Sequence, residues 1–218
     1  MQTPSRHIRH WWIAIWIALL VGAFFVDRTV AQWVSKTVPL DKSHQATRVL
    51  IYIMRLPGNY GFTIGLACVV AVIHPKSWRA AGALALSGFT SGINGPIKWI
   101  VGRHRPVRGI EPFTFHPFPG GIAGLFHSQA GLSFPSGDAT CAFTTAASLS
   151  ILFPRWAPAY YFAAAIVALE RVMENAHYVS EVVAGAGIGI ILGLFFTRLV
   201  MGRLEPDPPG FPVIDVSE

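Results

Sequence analysis

The sequence predicts an all-α membrane protein, a single bundle of six transmembrane helices, and three observations carry that prediction. Hydrophobic residues make up 52% of the 218 and charged residues only 13%, against roughly 25% charged in an average soluble domain. Six stretches are apolar over lengths approaching the roughly 17–25 residues of a spanning helix. Within three of these stretches, glycines recur four apart: Gly61 and Gly65, Gly88 and Gly92, and Gly185, Gly189 and Gly193. In apolar helices that spacing lets backbones approach closely, so these glycines are read as structural.

The first stretch is Trp11 to Val26, bounded by Arg9 and Asp27. A signal peptide would also begin with basic residues and an apolar core, but Asp27 and Arg28 stand where small cleavage-site residues belong, and five more apolar stretches follow. Residues 27–55 read as a polar segment with scattered charges, within which ATRVLIYIMRL fits an interfacial amphipathic helix. The second stretch runs from Leu56 to Pro75, the third from Ala80 to Ile97, the fourth from Ala139 to Phe153, the fifth from Trp156 to Leu169 and the sixth from Val182 to Thr197. Several are short, so their ends, which carry Lys98, Glu170, Arg171 and Glu181, must help complete the crossing. A loop over residues 102–134 is rich in Pro, Gly, Phe and His. Residues 1–203 form one membrane domain, and the Pro-rich segment 204–218 is too polar to pack and reads as a disordered cytoplasmic tail.

A net charge of +6 suits anionic headgroups or phosphates. Nucleic acid is excluded as a partner, because no basic helix or aromatic-basic ribbon is present. Cys68 and Cys141 lie in apolar runs and read as small buried residues, with neither a disulfide framework nor metal spacing. Six crossings put seven Lys and Arg on the side of the termini and ten on the other. That is a tie once Lys98, Arg105 and Arg171 are set aside, so charge bias does not orient the chain.

Alternating the spans brings three polar segments to one membrane face: 98–106 (KWIVGRHRP), 135–138 (PSGD) and 170–181 (ERVMENAHYVSE). Charges at a membrane border are costly and mark function. Lys98 and Arg105 are seven apart and share a face if the helix continues that far. Ser136 and Gly137 open a helix whose free N–H groups suit an anion. His177 and Glu181 are four apart, so the carboxylate can hold one ring nitrogen and leave the other free. Three cations, a helix N-terminus and an oriented histidine make a phosphate site with a nucleophile. Any one of these residues alone fits a snorkelling cation or a satisfied histidine better, whereas their convergence on one face favours the site.

The spacings also resemble a known pattern. Lys98, six residues, Arg105 and Pro106; then Pro135, Ser136 and Gly137; then Arg171, five residues, His177, three residues and Glu181 resemble the three-part signature of the type-2 phosphatidic acid phosphatase superfamily, in its integral-membrane branch. That signature is Lys-x6-Arg-Pro, Pro-Ser-Gly-His and Ser-Arg-x5-His-x3-Asp. The resemblance runs from Lys98 to about Gly189. It implies a lipid phosphatase needing no metal or other cofactor, in which His177 attacks phosphorus and forms a phosphohistidine that water hydrolyses. By the same carry-over Lys98, Arg105 and Arg171 bind the phosphoryl oxygens, Ser136 and Gly137 add donors, and Glu181 orients His177. The resemblance further implies a site at the periplasmic face of a bacterial inner membrane, with both termini in the cytoplasm.

Three positions depart from the pattern. Glu170 replaces Ser and places a charge beside Arg171, weakening its hold on phosphate. Glu181 replaces Asp and keeps the carboxylate on a longer arm. Asp138 replaces the His that donates a proton to the leaving oxygen. It admits four readings: the acid itself, a bystander while His104, His116 or His127 serves, a sign that a diphosphate substrate needs no acid, or a mark of degeneracy. The expected function is hydrolysis of a lipid phosphate or diphosphate in the bilayer. Phosphatidate, prenyl diphosphate, phosphatidylglycerophosphate and lipid A are candidate substrates. Lipid-to-lipid phosphotransfer and non-catalytic lipid-phosphate binding are the alternatives.

Overall fold

A computed structural model describes residues 6–38, 44–74, 77–126 and 131–202. The 204–218 tail and His127 lie outside the described residues. Among the described residues regular structure is helical: α1 Arg6–Thr37, α2 Gln45–Arg55, α3 Tyr60–Ile73, α4 Ser77–Val101, α5 Gly121–Gly124, α6 Gly137–Leu152, α7 Ala157–Met173 and α8 Val179–Met201. Five of the apolar stretches fall largely in one helix each, α1, α4, α6, α7 and α8, whereas the second is divided between a 3-10 turn at Leu56–Gly58 and α3. Trp11–Thr37 and Val179–Met201 are long and apolar enough to cross a bilayer, and a third crossing arises if Gln45–Gly58 and Tyr60–Ile73, bent by 58°, count as one. The outer surface is apolar, with Trp11, Phe25, Val72, Phe162, Phe195 and Leu199 each more than half exposed. Such a surface belongs in lipid rather than water.

The central helix is α6, which packs on α4, α7 and α8, while α1 lies against α8 and α3 against α4. Its sequence is Ala, Thr and Ser for most of its length, and these residues are buried. Its hydroxyls are satisfied locally or across helices. Thr144 Oγ1 donates to the Thr140 carbonyl at 2.7 Å, Thr145 pairs with Thr63 at 2.9 Å, and Ser148 pairs with Ser87 at 2.7 Å. The glycine row of α8 meets this surface. A Cβ on Gly185, Gly189 or Gly193 would stand 2.7, 2.5 and 2.5 Å from the carbonyl oxygens of Ser136, Thr140 and Thr144. Two rows of small residues, each stepping by four, thus bring two backbones together. The expectation does not extend to every glycine pair, because Cβ positions at Gly65 and Gly92 meet nothing. On the far side of α8, Trp16 of α1 lies over Gly187 and donates its indole N–H to the Val183 carbonyl at 3.1 Å.

Two expectations are corrected here. Helix α1 does not stop at Asp27 but continues for ten residues through the predicted polar segment. Asp27 is fully buried, and its charge is met by Arg103 rather than by water. Cys68 is exposed on α3, whereas Cys141 is buried; an apolar helix in a lipid-facing position leaves a small side chain uncovered.

Candidate active site

Helix α6 begins where the site does. Ser136 is its N-cap, accepting from the Ala139 N–H at 3.4 Å, while the Ser136 N–H donates to the Glu181 carbonyl at 3.1 Å. That second bond ties the start of α6 to the first turn of α8. The N–H groups of Gly137 and Asp138 face out of the helix end, as first-turn donors do.

The last turn of helix α7 carries Glu170 and Arg171, and the chain turns through Asn175, at φ +55°, into α8. His177 sits in that turn, 2% exposed, with Nδ1 2.9 Å from Glu181 Oε2. The same Oε2 accepts the Tyr178 N–H at 3.2 Å, which satisfies a free donor at the head of α8. The longer arm of Glu181 is therefore taken up by folding back on its own helix terminus. Burial, followed by repulsion from Arg105, Lys98 and Arg171, holds His177 well below the ordinary histidine value of 6.5. A ring anchored through Nδ1 and kept neutral presents Nε2 as a nucleophile.

The three signature cations act on one place, since Arg105, Lys98 and Arg171 are the charges that bear most on His177. The route of Arg105 differs from expectation. Helix α4 ends at Val101, and Gly102 turns the chain at φ +64° with its N–H on the Lys98 carbonyl at 2.7 Å. A Cβ there would fall 1.7 Å from the His116 carbonyl oxygen, so only glycine fits. Arg103 and His104 then bridge to Phe115 and Leu132, and Arg105 arrives on extended backbone rather than on a continued helical face. Its Nε is buried with no hydrogen-bond partner, as is Asn94 Nδ2, one helical turn before Lys98 and 3.7 Å from where a Gly137 Cβ would sit. Unpartnered buried donors beside a helix N-terminus fit an anion.

Asp138 and Glu170 surround Arg171 with negative charge. Glu170 takes Arg171 Nε at 2.6 Å and Nη2 at 2.7 Å, Glu174 also bonds Nη2, and Asp138 takes Nη1 at 3.1 Å. The carboxylates thus hold Arg171 in place and occupy donors that an anion would otherwise use. Asp138 is also paired to Arg55, with contacts of 3.1 and 3.0 Å. Of the alternative acids, His104 and His116 are exposed and lean on each other at 5.5 Å.

Sequence reasoning missed the shell behind His177. Glu181 Oε1 accepts from Ser133 Oγ at 2.6 Å and lies 3.1 Å from Arg103 Nη1. Arg103 Nη2 reaches Asp27 at 2.7 Å, Asp27 accepts the Ser180 N–H at 2.9 Å, and the guanidinium lies 4.1 Å from the Tyr178 ring centre. All three charged groups are fully buried. The one signal available was a carboxylate at the end of the first apolar run, which in a membrane helix points to a buried partner.

Comparison with known proteins adds to this geometry. Residues 76–205 match the PAP2 superfamily. Proteins named lipid A 1-phosphatase from Rhizobium johnstonii and Rhizobium etli are 33% and 32% identical over 144 residues, 63% of this chain and 55% and 58% of theirs. The aligned region thus spans little more than half the length of those relatives. The crystal structure of a transmembrane PAP2-type phosphatidylglycerolphosphate phosphatase from Bacillus subtilis superposes with a TM-score of 0.57 at 17% identity, covering 88% of this chain and 96% of that one. At that identity the likeness is one of fold.

Proposed function

We propose that this chain, which belongs to the PAP2 superfamily, is a metal-independent lipid phosphatase working through a phosphohistidine on His177. The observation that carries the reading is the His177–Glu181 contact of 2.9 Å among Lys98, Arg105 and Arg171. Phosphoryl transfer asks mainly for positioning and positive charge, and those residues provide both without a metal. Nε2 of His177 attacks phosphorus while the three cations, the Ser136 hydroxyl and the N–H groups of Gly137 and Asp138 bind the equatorial oxygens. Water then attacks the phosphohistidine and releases phosphate.

The substrate is a lipid phosphate or diphosphate, and the names of the Rhizobium relatives put lipid A 1-phosphate on the panel. The six apolar helices are read as six crossings that set the site at the periplasmic face and both termini in the cytoplasm, with residues 1–203 as one domain. The three carboxylates on Arg171 support a second reading, a weak or non-catalytic lipid-phosphate binder. Phosphate release by the detergent-purified chain, with chelator present and His177→Ala alongside, separates the two. Release that needs His177 and ignores chelator is expected; equal rates for both proteins would sink the phosphatase. Adding an unphosphorylated acceptor lipid and looking for its phosphorylated form tests for phosphotransfer.

A further inference from the structure

One cation outside the signature reaches the site. Arg55 is the last residue of α2, and its Nε and Nη2 lie 3.1 and 3.0 Å from Asp138 Oδ2, the oxygen that also takes Arg171 Nη1 at 3.1 Å. Among the described residues Arg55 Nη1 makes no hydrogen bond or ion pair. The placement is tight. Three residues on, a Cβ at Gly58 would stand 2.8 Å from both the Asp138 carbonyl oxygen and Val167 Cγ1, so the turn that follows α2 rests directly on α6 and α7. Arg55 is also near enough to Arg105 to repel its charge.

Exposure then gives the site a direction. His177 is 2% exposed and Arg171 1%, whereas Asp138 is 26% and Arg55 44% exposed. In phosphoryl transfer the attacking and leaving atoms lie roughly in line on opposite sides of phosphorus. With His177 at the floor, the leaving oxygen and the lipid attached to it face the mouth, where Arg55 stands.

Resting on the phosphatase reading above, we propose that Arg55 is a catalytic residue whose guanidinium, steered by Asp138, binds the leaving oxygen and stabilises the charge it gains. The His177 Nε2 lone pair forms the P–N bond, the P–O bond to the lipid breaks, and its electron pair stays on the lipid oxygen. Arg55 meets that charge without giving up a proton, because a guanidinium does not deprotonate in a protein. Asp138 therefore belongs at a phosphate cradle as the anchor of a fixed cation that does the work of a proton donor. The arrangement favours leaving groups stable as anions, such as the phosphate left by a diphosphate, over plain alkoxides.

The test compares phosphate release from a lipid monophosphate and from the diphosphate of the same alcohol, by the full-length protein in detergent. Arg55→Gln is expected to lower kcat at least tenfold, more for the monophosphate than the diphosphate, with KM within threefold. In an Asp138→His background, where the imidazole protonates the leaving oxygen, the same change is expected to cost under threefold. An unchanged kcat, an equal loss on both substrates, or an equal loss in both backgrounds overturns the proposal while leaving the phosphatase standing. A wild-type protein silent on both lipids sinks the phosphatase reading and the role of Arg55 with it.

Discussion

In the proposed reaction His177 is reactive because it is buried, oriented and surrounded by cations, and its titration follows from that. Its proton is lost well below 6.5, so Nε2 is free throughout the neutral range. The acid limb of kcat/KM should accordingly lie below pH 6.5, and a limb at or above that value would contradict a depressed histidine. The same shift opposes folding in acid: below 6.5 the unfolded chain binds a proton that the folded site refuses, so stability falls with pH from that point. Arg171 offers a second test. Glu170 holds it through two contacts, and Glu170→Ser should free those donors for phosphate and lower KM severalfold. A raised KM would mean that Glu170 positions Arg171 rather than competing for it. His177, Glu181 and Arg171 were legible in the sequence because their spacing is local. Arg55 and Arg103 were not, because their partners are 83 and 76 residues away.

Helices α6 and α8 are joined by backbone proximity rather than by large side chains, and that makes the glycine row selective in what it tolerates. Gly189→Val would drive a side chain into the Thr140 carbonyl 2.5 Å from its Cβ, and overpacking of this kind costs about 1–3 kcal/mol. Thermal unfolding in detergent should shift down by several degrees for Gly189→Val and stay put for Gly65→Ala, where nothing lies within 4 Å. Equal shifts would show that the row carries no special packing. Arg103→Met is the corresponding test of the buried network. Removing one member of a buried ion pair costs about 3–5 kcal/mol, and here it leaves both Asp27 and Glu181 uncompensated. The glycine row was readable because a period of four survives in any helix. The path to Arg105 was legible only as a condition, a helix continuing past Lys98, because a helix end depends on Gly102 meeting the His116 carbonyl, a contact across the loop that spacing does not encode.

For the molecule as a whole, the site lies at one end of the bundle, where the head of α6, the end of α4 and the α7–α8 turn meet. Six crossings with both termini in the cytoplasm predict that tags at the two ends are protected in intact spheroplasts, while a tag in the 109–115 loop is exposed. Protection of all three, or opposite faces for the termini, would overturn that topology. The Asp27 clamp has a further consequence for the order in which the protein is made. Asp27 leaves the ribosome in the first helix, but its partners Arg103 and Ser180 follow 76 and 153 residues later. Until Arg103 is made, α1 carries an acidic group without the counter-charge that meets it in the folded protein. Ser180 gives its N–H to the same carboxylate, and its neighbour Glu181 holds His177, so the first helix and the candidate nucleophile share one buried network. A chain halted before Arg103 is made has an acid in its first helix without its counter-charge, whereas the folded protein conceals that acid completely.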